Sequence, residues 1–304
     1  MTFLYVEHAR VEQASGAIVL MDASGKTFVP VAALSTLLLG PGTSVTHAAM
    51  LAIADCGGSV VFCGGDGVRF YASGVGETRR TAGLLHQARV WADPKEHLEV
   101  VVRMYRMRFP GELDPSLTLE QVRGMEGVRV RESYARAARE ADVEWTGRAY
   151  SGEWSASTPV NRALSSANAC LYGLCHAAIV SVGLSPGLGF VHTGKALSFV
   201  YDVADLYKCE LSVPVAFAAS KGPLNTLEAR VRTACRQAFR EQKLLERIVP
   251  DMQRALGLRP DKVRLLEAVG EPAAEAPTEL WDPEGPLSGG HNYAPASLDT
   301  AGEP

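Results

Sequence analysis

Three side chains in one stretch, and a fourth well upstream, have the types and spacing to handle a divalent cation. Asp202 and Asp205 lie three residues apart in Ser198-Phe199-Val200-Tyr201-Asp202-Val203-Ala204-Asp205-Leu206. If that stretch is helical, both carboxylates share one face. Its neighbours are apolar, and a carboxylate buried among them is costly without a partner. His192 lies ten residues before Asp202, across a Gly194-Lys195 turn, and Glu126 sits in Gly124-Met125-Glu126-Gly127 among Arg123, Arg129 and Arg131. One imidazole nitrogen and two or three carboxylate oxygens make a coordination shell for Mg²⁺ or Mn²⁺, the imidazole favouring Mn²⁺. Plainer uses stay open. Asp202 or Asp205 could cap a helix or pair with Lys195 or Lys208, and Glu126 could pair with Arg129 one turn on.

Other candidates are weaker. Gly189-Phe190-Val191-His192-Thr193-Gly194-Lys195-Ala196 fits the first seven positions of a phosphate-binding loop. The eighth should be a hydroxyl residue for magnesium and is Ala196, and no clear strand precedes it. His8, His86, His97 and His291 lack acidic or thiol companions at ligand spacing and read as surface or packing residues; His47 and His176 read as satisfied structurally. Tyr134, Tyr150, Tyr172 and Tyr201 could stack on unpaired bases or simply pack.

The basic residues carry more weight as groups. Arg123, Arg129, Arg131, Arg136, Arg139 and Arg148 form one cluster, and Arg230, Arg232, Arg236, Arg240, Lys243 and Arg247 another. Two solvated helix faces would explain them; beside a metal-ligand constellation, contact with a phosphate backbone explains them better. The net charge of −4, from 30 bases and 34 acids, obscures this. Residues 271–304 hold seven acids and no Lys or Arg, whereas residues 1–270 hold 30 bases against 27 acids.

These side chains need a frame of 304 residues to position them. Ala17–Leu20, Phe28–Val31, Ser59–Phe62 and Val68–Tyr71 read as short strands, with a helix at Thr46–Ala54 capped by Thr46. From Thr78 the period becomes helical: a helix through Leu84 and Trp91, a second from Asp93-Pro94 to Phe109, then Leu119–Glu140, Asn161–Val182 and Leu224–Leu245, with a short last one from Asp251. No alternation of strand and helix suggests a doubly wound sheet. The expectation is an α+β protein: a small β-sandwich-like domain over 1–77, an all-helical catalytic domain over 78–270, and an acidic tail over 271–304. That tail, rich in Pro, Ala and Gly, is expected to be disordered or partner-bound. No apolar run reaches membrane-span length, no secretion signal opens the chain, and the six cysteines form no CxxC pair. A cytoplasmic protein with no membrane partner is expected.

At these residues the sequence resembles a known family. The segments Leu119–Gly127, Gly189–Lys195 and Leu197–Asp205, with Pro41–Ala49 and Gly67–Gly74 in the same order, are similar to the CRISPR-associated spacer-acquisition integrases, most of all their subtype I-E branch. The resemblance covers roughly residues 1–250. It implies metal ligands at Glu126, His192 and Asp205, with Asp202 a neighbouring acid needed for activity. It puts Lys195 and Lys208 near the DNA, Tyr172 and Tyr201 near the active site or DNA end, and Arg69 on the DNA surface of the β-domain. It implies a homodimer, two of which flank a dimer of a small ferredoxin-like adaptation subunit. The substrates would be double-stranded DNA with 3′ single-stranded ends and CRISPR repeat DNA, joined by attack of a 3′-hydroxyl. Arg129, Arg131, Arg236 and Arg240 are the cluster arginines expected on DNA. A non-catalytic DNA-binding scaffold and a general structure-specific nuclease are the alternatives.

Overall fold

The computed structural model describes residues 3–14, 17–67, 69–75, 81–148, 158–258, 279–280 and 287–288. Two sheets make up the strand-rich part. The first runs β1 (Phe3–Val6), β5 (Thr36–Leu39), β7 (Ser59–Cys63) and β8 (Phe70–Val75), parallel except for β8. The second runs β4 (Gly25–Pro30), β3 (Ala17–Asp22), β2 (Arg10–Ala14) and β6 (Ser44–Val45). Strand alternation decides which core each residue enters. Leu37 and Leu39 of β5 join Val11 and Ile18 of the second sheet and Ile53 of α1 (His47–Asp55) in one buried cluster. Leu38, between them, faces the other way and joins Val61, Cys63 and Ala177. Thr46 caps α1, its hydroxyl accepting the Ala49 N–H at 3.3 Å. The stretch β5–α1–β7 is a parallel crossover, which the sequence reading did not foresee because β5 is a run of buried residues without polar alternation.

The helices are α2 (Ala82–Ala92), α3 (Pro94–Arg106), α4 (Leu119–Glu140), α5 (Pro159–Ser181), α6 (Ser198–Ala204), α7 (Ser212–Ala219), α8 (Leu227–Glu241) and α9 (Leu244–Ala255). Their starts are chemically marked. Asp93 accepts the N–H groups of Lys95 and Glu96 with Pro94 in the first turn, and Thr118 and Gln121 form a reciprocal capping box on α4. α5, 23 residues long, is apolar enough to cross a membrane by composition. Its Leu164, Ala167, Leu171, Cys175 and Ile179 are instead wholly buried in the core, where α5 packs on α6, α7 and α8. Against the sequence reading, Leu224–Leu245 is not one helix. A 3₁₀ turn at Leu224–Thr226 precedes α8, and Lys243, at φ 48°, breaks the chain before α9. α9 then runs through Pro250 rather than starting after it, held by the buried Leu244, Ile248, Val249 and Met252 despite the missing proline N–H.

Residues Met1–Gly270 form one compact unit and Glu271–Pro304 another. In the second, β9 (Glu279–Leu280) pairs antiparallel with β10 (Leu287–Ser288). The expected boundary at 77/78 and the rest of the acidic tail lie outside the described residues, as does Tyr150.

Candidate functional site

The loop between α5 and α6 carries His192, and its shape depends on a glycine and a buried carboxylate. A Cβ on Gly189 would stand 2.3 Å from the His192 carbonyl oxygen, so the turn closes only around glycine. Asp202, on α6 and fully buried, accepts the N–H groups of Phe190 (2.6 Å), Val191 (3.1 Å) and His192 (2.8 Å). These three donors offset the desolvation of its charge. The same carboxylate lies 2.7 Å from His192 Nδ1. With Nδ1–H donating there, Nε2 keeps its lone pair, the arrangement by which a carboxylate fixes a metal-binding imidazole. Nε2 in turn lies 3.9 Å from Asp205 Oδ2. Asp202 therefore holds His192 rather than reaching into the site, and Asp205, the C-cap of α6, is the acid that faces it.

Glu126, buried on α4, closes the group. Arg129, one turn on, grips it through both oxygens at 2.7 and 2.9 Å. The almost wholly buried Arg108 bridges the two acids, its Nη1 3.3 Å from Glu126 Oε1 and 3.6 Å from Asp205 Oδ2. Its Nε and Nη2 are buried without a hydrogen-bond partner. Lys208 Nζ binds the other oxygen of Asp205 and stands 5.6 Å from the centre of the Tyr172 ring. Burial works against the charge of Lys208, yet Asp205 and Tyr172 more than offset it and hold the ammonium above its ordinary value. Burial pushes the Tyr172 hydroxyl up, with Lys208 pulling the other way. The hydrogen bonds to Glu126 raise Arg129. The Tyr172 and Tyr201 rings meet edge to face at 5.0 Å, and Tyr201 lies 5.9 Å from the His192 ring.

Glu126, His192, Asp202, Asp205, Lys208, Tyr172, Tyr201 and Arg129 thus come together. The plainer pairings of Glu126 with Arg129 and Asp205 with Lys208 are also real, in the same cluster. Lys195 is exposed on the turn after His192, its N–H bonded to Ser198 Oγ at 3.0 Å. Arg131 is exposed on α4, and Arg69 is exposed just before β8. Arg236 and Arg240 lie elsewhere, lining a cleft of about 460 Å³ with Phe3, Tyr5 and Lys243. Sequence reasoning missed Arg108, because nothing in Met107-Arg108-Phe109 distinguishes it from a surface base. His97, read as a surface or packing residue, packs on the Phe190 ring at 5.0 Å, and its Nε2 lies 3.0 Å from the Phe190 carbonyl. Two other histidines have a structural use, His86 bonding the Leu256 carbonyl and His176 stacking on Phe70, and His291 lies outside the described residues. Tyr134 packs on Trp145 and Phe217.

Among the described residues no three His, Cys, Asp or Glu side chains come close enough to hold an ion as they stand. The donor types nevertheless fit one. Arg108 already places a positive group between Glu126 and Asp205, which is what a bound cation does electrostatically.

Comparison with known proteins agrees with this reading. The family described as CRISPR associated protein Cas1 matches residues 109–221, which include Glu126, His192, Asp202 and Asp205. The CRISPR-associated endonuclease Cas1 2 of Thermus thermophilus is 52% identical over 300 residues, covering 96% of this chain and 90% of the relative. The CRISPR-associated endonuclease Cas1 of Escherichia coli is 38% identical over 285 residues, covering 93% and 90%. The crystal structure of a TtCas1–DNA complex superposes with a TM-score of 0.79 at 55% identity, over 84% of this chain and 96% of that one.

Proposed function

Because the chain belongs to the Cas1 family of CRISPR-associated endonucleases, we propose that Glu126, His192 and Asp205 form the centre with which it cuts and joins DNA. It is a divalent-metal-dependent endonuclease and integrase that inserts captured DNA into a CRISPR repeat array. The reaction is a transesterification in which a 3′-hydroxyl attacks a phosphodiester; water in its place gives hydrolysis. The observation that carries the site is the His192 pair of contacts: Nδ1 on the buried Asp202 and Nε2 3.9 Å from Asp205.

Mg²⁺ or Mn²⁺ bound there would polarise the phosphoryl oxygens and stabilise charge on the attacking or leaving oxygen. The chain's own residues do the rest. Asp202 keeps the His192 ring in one orientation and one tautomer. Arg108, Arg129 and Lys208 balance the carboxylates of Glu126 and Asp205, which would otherwise repel. Tyr172 and Tyr201 form an aromatic wall beside His192, suited to the last base of a single-stranded 3′ end. Lys195, exposed on the adjoining turn, meets the phosphate backbone, as do Arg129 and Arg131 at the rim, Arg236 and Arg240 in their cleft, and Arg69 on the strand-rich part.

The reading extends to assembly. Residues 1–77 serve dimerisation and DNA bracing, 78–270 catalysis, and two homodimers flank a dimer of the small ferredoxin-like adaptation subunit in the cytoplasm. The substrates are double-stranded DNA with 3′ single-stranded ends and the CRISPR repeat.

Purified protein in Mn²⁺, given DNA with free or blocked 3′ ends, tests the function. Joined products with the free end alone are expected. Equal hydrolysis of both would make it a structure-specific nuclease, and binding without either product a scaffold.

A further inference from the structure

Helices α2 and α3 also hold the His192 loop, through its carbonyls. The buried Gln87 donates from Nε2 to the carbonyls of Ser185 (3.0 Å) and Leu188 (3.1 Å) and accepts the Ser185 N–H at 2.8 Å. Trp91 Nε1 donates to the Gly189 carbonyl at 2.9 Å. His97 reaches two carbonyls, Phe190 from Nε2 at 3.0 Å and Trp91 from Nδ1 at 2.9 Å. A carbonyl oxygen only accepts, so the ring nitrogen that carries the proton donates to the carbonyl it faces. The charged groups beside it on these helices are engaged: Asp93 caps α3 and Glu96 pairs with Arg89.

We propose that Trp91 and His97 are positioning residues for the reaction. They fix the carbonyls of Gly189 and Phe190 while Asp202 fixes the N–H groups of Phe190, Val191 and His192, and the two grips together aim His192 Nε2 at Asp205. The inference rests on the reading of His192 as a metal ligand.

Mn²⁺ affinity of the full chain, measured by electron paramagnetic resonance of the free ion, tests it without reference to activity. Trp91→Phe and His97→Phe keep an aromatic ring and lose the donors. Each is expected to weaken Mn²⁺ binding by about tenfold, as for other supports of metal-bound histidines, with metal-free DNA binding unchanged. His97→Gln, which keeps one donor, is expected to fall between and serves if the Phe variant does not fold. Wild-type affinity in all three variants, with affinity lost in His192→Ala, would overturn the positioning role and leave the ligand reading intact. Full affinity in His192→Ala as well would overturn that reading, and the proposal with it.

Discussion

Helix α5 presents two buried surfaces one turn apart, and they handle burial in opposite ways. Tyr172 faces Lys208 and the carboxylates, where every charge has a counter-charge within reach. His176 faces the strands, its ring stacked on Phe70 at 3.6 Å beside the apolar patch of Leu38, Val61, Cys63 and Ala177. Burial disfavours the charged form of a base on both surfaces. Lys208 nonetheless stays charged, because Asp205 and Tyr172 together outweigh desolvation, whereas desolvation alone pulls His176 down from 6.5 to about 4. Partners, rather than depth, decide whether a buried base keeps its proton. The polar surface is therefore directional, each group fixed by a specific neighbour, while the apolar seam needs little more than matched shape.

The sharpest way to break this contrast is to remove a ligand from the directional side. His192→Ala and Asp205→Asn are each expected to lower strand joining by on the order of 10³-fold or more, since the electrostatic stabilisation they support is worth several kcal/mol. The His192 side chain is 44% exposed, so its loss leaves the fold intact, and Asn at 205 keeps the shape beside Lys208. Circular dichroism and a joining assay in Mn²⁺ check both at once. Joining at the wild-type rate by either folded variant would remove that residue from the reaction.

A smaller loss is expected one step away from the ion. Asp202→Asn keeps the side chain's size but replaces one acceptor oxygen with a donor, facing N–H groups it cannot serve. Joining and Mn²⁺ affinity should fall by about 10–100-fold, the range for residues that orient a metal-bound histidine. A loss as deep as that of His192→Ala would mean that Asp202 does more than hold the ring.

Much of this contrast was legible in the sequence, and the rest was not for identifiable reasons. Asp202 and Asp205 are legible because one sits on α6 and the other caps it, so their spacing converts directly into geometry, and the bounds of α4 match the helix read from its own pattern. Glu126 is brought to them by tertiary packing across distant segments, which spacing cannot encode, so residue type made it a candidate and the family resemblance named it a ligand beside His192. Arg108 and His97 escaped because each is a single polar residue whose partners lie far along the chain, at Asp205 and Phe190. β5 escaped for a different reason. It is buried along its whole length, so its run shows none of the alternation by which a half-exposed strand announces itself, whereas its neighbour β7 was read as Ser59–Phe62.

The smallest effect sharpens the comparison from the seam side. His176 has its folded value lowered to about 4 against an ordinary 6.5. A base whose value is depressed by folding adds stability that is complete above the unfolded value and disappears as pH falls through the window from 6.5 to about 4, where the unfolded chain takes up the proton first. His176 is only part-buried, so solvent screens the effect and the expected change is modest. His176→Phe keeps a ring against Phe70 and has nothing to titrate. Melting temperatures of the two proteins from pH 7 to pH 4 should therefore diverge, the wild type losing stability faster than the variant as the medium becomes more acidic. Parallel curves would show that the ring is not desolvated in the folded chain. At neutral pH the variant should join DNA at the wild-type rate, because the seam holds the two parts of the chain together without aiming any group at the phosphate.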